Sequence, residues 1–80
     1  MEIKILGGGC ANCKALERLT REVIEELNLN ANITEVKDIQ KILAYGVMST
    51  PALVVNEKVL VSGRVPSKNE ILNLIKAEVQ

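Results

Sequence analysis

The apolar residues of this chain follow two alternating periods, and no other feature of the sequence limits its fold as much. Ile3 to Leu6 is a short apolar run leading into Gly7-Gly8-Gly9, the pattern of a buried strand that enters a flexible loop. From Cys10 the spacing becomes helical. Leu16, Leu19, Val23, Ile24 and Leu27 recur at steps of three and four, while Glu17, Arg18, Arg21, Glu22, Glu25 and Glu26 occupy the opposite face. Glu17 and Arg21 have the favoured acid-before-base spacing on a helix surface, worth roughly a few tenths of a kcal/mol. The asparagine-rich stretch from Asn28 to Asn32 ends this helix.

Ile33 to Val36 predicts a second strand. Asp38 then caps a short helix carrying Ile39, Ile42 and Leu43, which Gly46 stops. Ala52 to Val55 and Lys58 to Val61 are strand-like and separated only by Asn56-Glu57, so they form an antiparallel hairpin. Ser67 and Glu70 have capping-box spacing and open a last helix with Ile71, Leu72, Leu74, Ile75 and Val79 turned inward. The expected order is β-α-β-α-β-β-α. Two crossovers and one hairpin give a four-stranded mixed α/β sheet with helices on both faces.

Eighty residues make one domain, 1–80, near the lower size at which a chain can build its own core. Tyr45 is the only aromatic residue, so that core is aliphatic. Ten basic and ten acidic residues cancel, and no basic run is interleaved with aromatic residues. Neither nucleic acid nor an anionic membrane surface is therefore an expected partner. The apolar runs are too short to span a bilayer, and Glu2 and Lys4 break any signal-peptide pattern, so a cytoplasmic location is expected.

The chemistry of the chain centres on Cys10-Ala11-Asn12-Cys13, at the junction of the glycine loop and the first helix. A disulfide closing so short a loop constrains the unfolded chain very little, so a structural staple is the weakest reading. Redox chemistry and soft-metal binding remain. For redox chemistry the placement matters, because unpaired N–H groups and the partial positive charge of a helix N-terminus stabilise a thiolate. Cys10 is expected to be the more exposed and more acidic thiol. Cys13, about one turn later, is expected to lie inside and within reach of it. Lys14 adds a nearby positive charge, screened where exposed. For metal binding, two thiolates suit Cu(I), whereas zinc needs two further ligands in a chain without histidine. Soft-metal carriers with the same motif have the order β-α-β-β-α-β, and the helical pattern after Asp38 does not fit it.

Ser49-Thr50-Pro51 precedes the hairpin. Proline cannot donate to a ladder and belongs at a strand start or edge, which a trans proline satisfies as well as a cis one. Together with the cysteine pair and this element order, the chain resembles the thioredoxin superfamily. In particular it is similar to small archaeal and bacterial thioredoxin-like, glutaredoxin-like redox-active disulfide proteins. The resemblance spans essentially the whole chain and rests on Cys10 to Cys13, on Gly46-Val47-Met48-Ser49-Thr50-Pro51-Ala52-Leu53, and on Gly63.

The resemblance implies a minimal thioredoxin-like fold and a thiol–disulfide oxidoreductase working through Cys10 and Cys13, with no cofactor beyond the disulfide between them. It implies a cis Thr50–Pro51 bond, with Ser49, Thr50, Pro51 and Gly63 on the substrate side; Gly63 is equally readable as a simple turn glycine. It further implies disulfide-containing protein substrates, an upstream reductase such as a thioredoxin reductase-like flavoprotein, and a monomer. The sequence also departs from the pattern. Gly9 precedes the first cysteine, Ala11-Asn12 separates the pair, and Lys4 stands where thioredoxins carry a buried acid. Arg64 and Lys68 are candidates for holding glutathione or for a solvated surface. Tyr45 either shields the thiols or packs at a helix end.

Overall fold

The computed structural model describes residues 1–7 and 9–79; of the glycine triplet, Gly8 lies outside them, as does Gln80. The described residues form β1 (Glu2–Leu6), α1 (Ala11–Glu26), β2 (Asn32–Val36), α2 (Ile39–Ala44), β3 (Ala52–Val55), β4 (Lys58–Ser62) and α3 (Lys68–Val79). The order is the one the periodicity predicts, with element ends shifted by one residue at most strands.

The sheet runs β2-β1-β3-β4. β1 pairs with β2 in parallel and with β3 antiparallel, and β3 with β4 antiparallel. Only the link through α1 is therefore a parallel crossover, and the expectation of two is corrected. α2 is too short, at six residues, to span the sheet and return the chain in the same direction. β3 enters beside β1 running the opposite way.

Strand alternation sorts the core onto two faces. Ile3, Ile5, Leu53, Val55 and Val61 point to one face and meet Leu16, Val23 and Ile24 of α1 and Ile71 and Ile75 of α3. Leu6, Ala52 and Val54 point to the other and meet Ile42 of α2 and Val47. The β3–β4 register shifts between Leu53 and Val54, whose partners are Val61 and Val59. This bulge lets Leu60 and Val61 both serve the α1/α3 face while Val59 serves the α2 face.

Local chemistry sets the element ends. Asn28 takes φ +54 after α1, its N–H donates to the Glu25 carbonyl and that of Leu29 to the Ile24 carbonyl, closing the helix in a Schellman motif. Asn56 and Glu57 both have positive φ, as the two central residues of the expected tight hairpin turn require. Thr20, fully buried within α1, donates its hydroxyl to the Leu16 carbonyl at 2.7 Å. Ser67 caps α3 through the Glu70 N–H, but the Glu70 carboxylate turns to Arg64 instead of completing a capping box.

Three large apolar helix residues are exposed, and of these Val79 departs from the inward face expected of it. Ile39 is 69% exposed and Leu43 54%, because α2 presents only Ile42 to the sheet. Val79 is 44% exposed; it sits at the end of α3, rotated about 80° from Ile71 around the helix.

Candidate active site

β1 delivers the chain to the loop before α1, and Cys10 is the N-cap of that helix, with extended backbone angles. Its sulfur accepts the Cys13 N–H at 3.1 Å, the place a serine or aspartate oxygen would take in an ordinary cap. No acidic residue stands in the first turn of α1, so no carboxylate competes for the positive end of the helix. Cys10 and Cys13 form a disulfide with Cα atoms 5.2 Å apart. Cys10 is exposed, whereas Cys13 is only 1% exposed. The asymmetry expected from the motif is present: one sulfur at the surface and one beneath it. Lys14 is exposed on the same turn.

Sheet register assembles the rest. Leu6 pairs with Ala52, and Ala52 in turn with Ser62. The residues that follow Leu6, precede Ala52 and follow Ser62 therefore share one end of the sheet. They are Gly7, Ser49-Thr50-Pro51 and Gly63. The Thr50–Pro51 bond is cis, Pro51 is buried, and Ser49 and Thr50 are exposed. The Gly63 N–H donates to the Pro51 carbonyl at 2.9 Å, and a Cβ on Gly63, whose φ is +78, would lie 3.4 Å from Ser49 Cβ. Gly63 is thus packed against the Ser49–Pro51 segment as well as turning the chain. Met48, 91% exposed, extends the same rim as an apolar side chain.

Gly7 is a site residue that the sequence reading merges into a flexible triplet. A Cβ there would lie 2.8 Å from Thr50 Cβ and 3.0 Å from Cys13 Sγ. Nothing in a run of glycines distinguishes this one from Gly9, at which a Cβ would meet nothing within 4 Å.

Other candidates are engaged elsewhere. Lys4 projects to the α2 side, where its ammonium donates to Glu57 at 2.6 Å and to the Tyr45 hydroxyl at 2.8 Å. Tyr45 completes the triangle by donating to Glu57 at 3.0 Å and packs against the smaller core cluster. The hydrogen bond that Lys4 donates to Glu57, then that to Tyr45, pushes its ammonium well above the ordinary lysine range. The bond donated by Lys4, then that donated by Tyr45, holds Glu57 below the usual carboxylate value. Lys4 is thus a cation tied to the hairpin turn. Tyr45 has a packing and bracing role there. Arg64 pairs with Glu70, and Lys68 with Glu22 and Glu26. Among the described residues, no group of three or more His, Cys, Asp or Glu side chains is placed to hold a metal ion.

The family model described as a thioredoxin domain matches residues 1–76. This chain belongs to the thioredoxin domain family. Within the family it is 40% identical over 75 residues to a thioredoxin of Methanothermobacter thermautotrophicus, covering 94% of this chain and 97% of that one. It is 30% identical over 78 residues to a thioredoxin of Methanocaldococcus jannaschii, covering 98% and 90%. Its fold matches thioredoxin 1 of Thermosipho africanus with a TM-score of 0.67 at 18% identity, over 99% of this chain and 94% of that chain.

The thioredoxin-like fold and the Cys10–Cys13 disulfide make this family member a thiol–disulfide oxidoreductase. Its family acts on disulfide substrates and relies on a reductase to renew the dithiol. α2, lying between β2 and β3, separates the fold from the β-α-β-β-α-β order of the metal carriers. No helix among the described residues is long and apolar enough to cross a membrane.

Proposed function

We propose that the protein reduces protein disulfides in the cytoplasm, with Cys10 attacking and Cys13 resolving. The observation that carries this division is the exposure of Cys10 at the helix cap, where it accepts the Cys13 N–H, over a Cys13 that is 1% exposed. In the reduced state that N–H and the helix terminus favour a Cys10 thiolate, while burial disfavours one at Cys13. The Cys10 thiolate attacks one sulfur of a substrate disulfide, forming a mixed disulfide and expelling the other sulfur as thiolate. Cys13, losing its proton, then attacks Cys10, re-forms the Cys10–Cys13 bond and releases the second substrate sulfur. The substrate gains two electrons and the dithiol loses them. A thioredoxin reductase-like flavoprotein returns them.

Substrate docks as an extended segment along Ser49-Thr50-Pro51, using backbone groups beside Thr50 in the manner of strand addition, with Gly63 and Met48 at the rim. No cofactor beyond the disulfide is required, and the protein works as a monomer. The test is trapping. Cys13→Ser is expected to accumulate mixed disulfides on Cys10, and Cys10→Ser to lose disulfide-reductase activity. Full activity in Cys10→Ser, or adducts that map to Cys13, would overturn the assignment.

A further inference from the structure

Gly7 touches both halves of the site and belongs to neither. Its φ is +90, and its backbone is pinned: its N–H donates to the Val36 carbonyl of β2 at 2.7 Å. Thr50 is held from the other side through Ala52, which pairs with Leu6. Cys13 is held by α1. The three segments converge where a side chain at position 7 would stand. A Cβ there would lie 2.8 Å from Thr50 Cβ, 3.0 Å from Thr50 Cγ2 and 3.0 Å from Cys13 Sγ.

We infer that Gly7 is a positioning residue for the second exchange step, because its missing side chain leaves the space that Thr50 and the Cys13 sulfur border from two sides. This rests on the proposal that Cys13 resolves the mixed disulfide. Once Cys10 carries substrate, the Cys13 sulfur is no longer tethered to it. Packing alone then keeps that sulfur near Cys10 and aligned for attack on the Cys10–substrate bond. The Gly7 backbone borders that sulfur, with Thr50 at the same position. Cys10 does not depend on it in the same way, since no Cys10 atom is among the three nearest neighbours of the Gly7 position.

Ordinary carbon contacts begin near ~3.5 Å. A methyl at position 7 therefore displaces Thr50 or the Cys13 sulfur by roughly half an ångström to one ångström. Misplacement of a reacting group by about 1 Å can cost on the order of a hundredfold in rate. Gly7→Ala is accordingly expected to slow resolution by roughly ten- to a hundredfold, well beyond any slowing of the initial attack.

The two steps can be read separately with dithiobis-nitrobenzoate on the fully reduced protein. Attack by Cys10 releases one thionitrobenzoate, and resolution by Cys13 releases the second. The inference predicts two well-separated phases in Gly7→Ala and a mass adduct on Cys10 in the interval between them. Backbone strain at φ +90 is controlled with D-alanine at position 7, introduced by joining a synthetic segment 1–9 to the rest of the chain at Cys10. D-alanine tolerates the positive φ and directs its methyl away from Thr50 and Cys13, so its second phase is expected within about threefold of the parent.

If Gly7→Ala melts, the double variant Gly7→Ala with Thr50→Gly removes two of the three close contacts. It is expected to fold and to keep a slowed second phase, because the Cys13 contact remains. A wild-type second phase in Gly7→Ala, or in that double variant, would overturn the inference. So would equal slowing by D-alanine. An adduct that maps to Cys13 would instead overturn the assignment of roles to the two cysteines.

Discussion

Leu16 and Leu43 look alike in sequence, since each is a leucine on the apolar spacing of a helical stretch, yet the structure separates them sharply. Leu16 is fully buried between α1 and the sheet, one turn beyond Cys13. Leu43 is 54% exposed on α2. Truncation of leucine to alanine removes three carbon groups, about 2.4 kcal/mol of transfer free energy at ~0.8 kcal/mol per group. At Leu16 the full amount is lost. The surrounding side chains come from pinned strands and a second helix, so the site collapses incompletely and a cavity term adds to it. The total for Leu16→Ala is roughly 3 to 5 kcal/mol. At Leu43 only about half of the transfer term applies and no enclosed cavity forms, giving roughly 1 kcal/mol or less.

For a chain of this size the whole stability is of order 4 to 12 kcal/mol, so Leu16→Ala removes a large part of it. Urea unfolding with the disulfide intact checks the pair. Leu16→Ala is expected to lower the midpoint by roughly 3 M at an m-value near ~1 kcal/mol/M, with the slope unchanged, and the thermal midpoint by at least ~10 °C. Leu43→Ala is expected to lie close to the parent in both measurements. Equal losses in the two variants, or a Leu16→Ala loss under about 1 kcal/mol, would refute the burial of Leu16 under α1 and the exposure of Leu43 on α2.

Two further outcomes follow from local contacts. Glu57 and Glu70 are held below their ordinary value of 4.5, Glu57 by bonds from Lys4 and then Tyr45, Glu70 by the bond from Arg64. Groups depressed in the folded state stabilise it fully above the unfolded value, and that contribution disappears as pH falls through the folded values. The thermal midpoint should therefore drop between about pH 5 and pH 3, and Glu57→Gln with Glu70→Gln should flatten the slope; an unchanged slope counts against both pairs. Asp38 caps α2 by accepting the Gln40 N–H at 2.9 Å, so Asp38→Ala should cost about 1 kcal/mol. Faster amide exchange over residues 40–44 with α1 unaffected is the expected pattern, and uniform acceleration throughout the chain would contradict a local cap.

Much of this fold was legible because each element has its own chemistry in the sequence. The steps from Leu16 to Leu27 predict α1, Asn56-Glu57 predicts the hairpin turn, and Gly46 predicts the end of α2, where it follows the Tyr45 cap with φ +79. Cys10 and Cys13 were legible as a pair because a helix start needs only local sequence to recognise. What stayed hidden was whatever depends on which strands become neighbours. Nothing local tells Lys4 that its partners are Tyr45 and Glu57, more than 40 residues away. The direction of β3 was hidden for the same reason, since a helical pattern between two strands suggests a crossover whether or not the helix is long enough to make one. The exposure of Ile39 and Leu43 depends likewise on how little of the sheet so short a helix covers.

The antiparallel entry of β3 is also what makes a redox site out of separate motifs. Had β3 run parallel to β1, its first residue would stand beside the start of β1, at the far end of the sheet from the cysteines. Running antiparallel, it sets Ala52 opposite Leu6, and the cis Thr50–Pro51 segment arrives beside Gly7 and Cys13. The β4 register then returns Gly63 to the same end, where it bonds Pro51. A slip of one residue between β1 and β3 would turn Leu53 and Val55 away from α1 and α3 and shift Thr50 from its place against Gly7 in one movement. The hydrophobic pattern that buries β3, all four of whose residues are buried, thereby also enforces the alignment of the site. Core packing and dithiol geometry are consequences of one register, and a variant that lets β3 slip should lose both together.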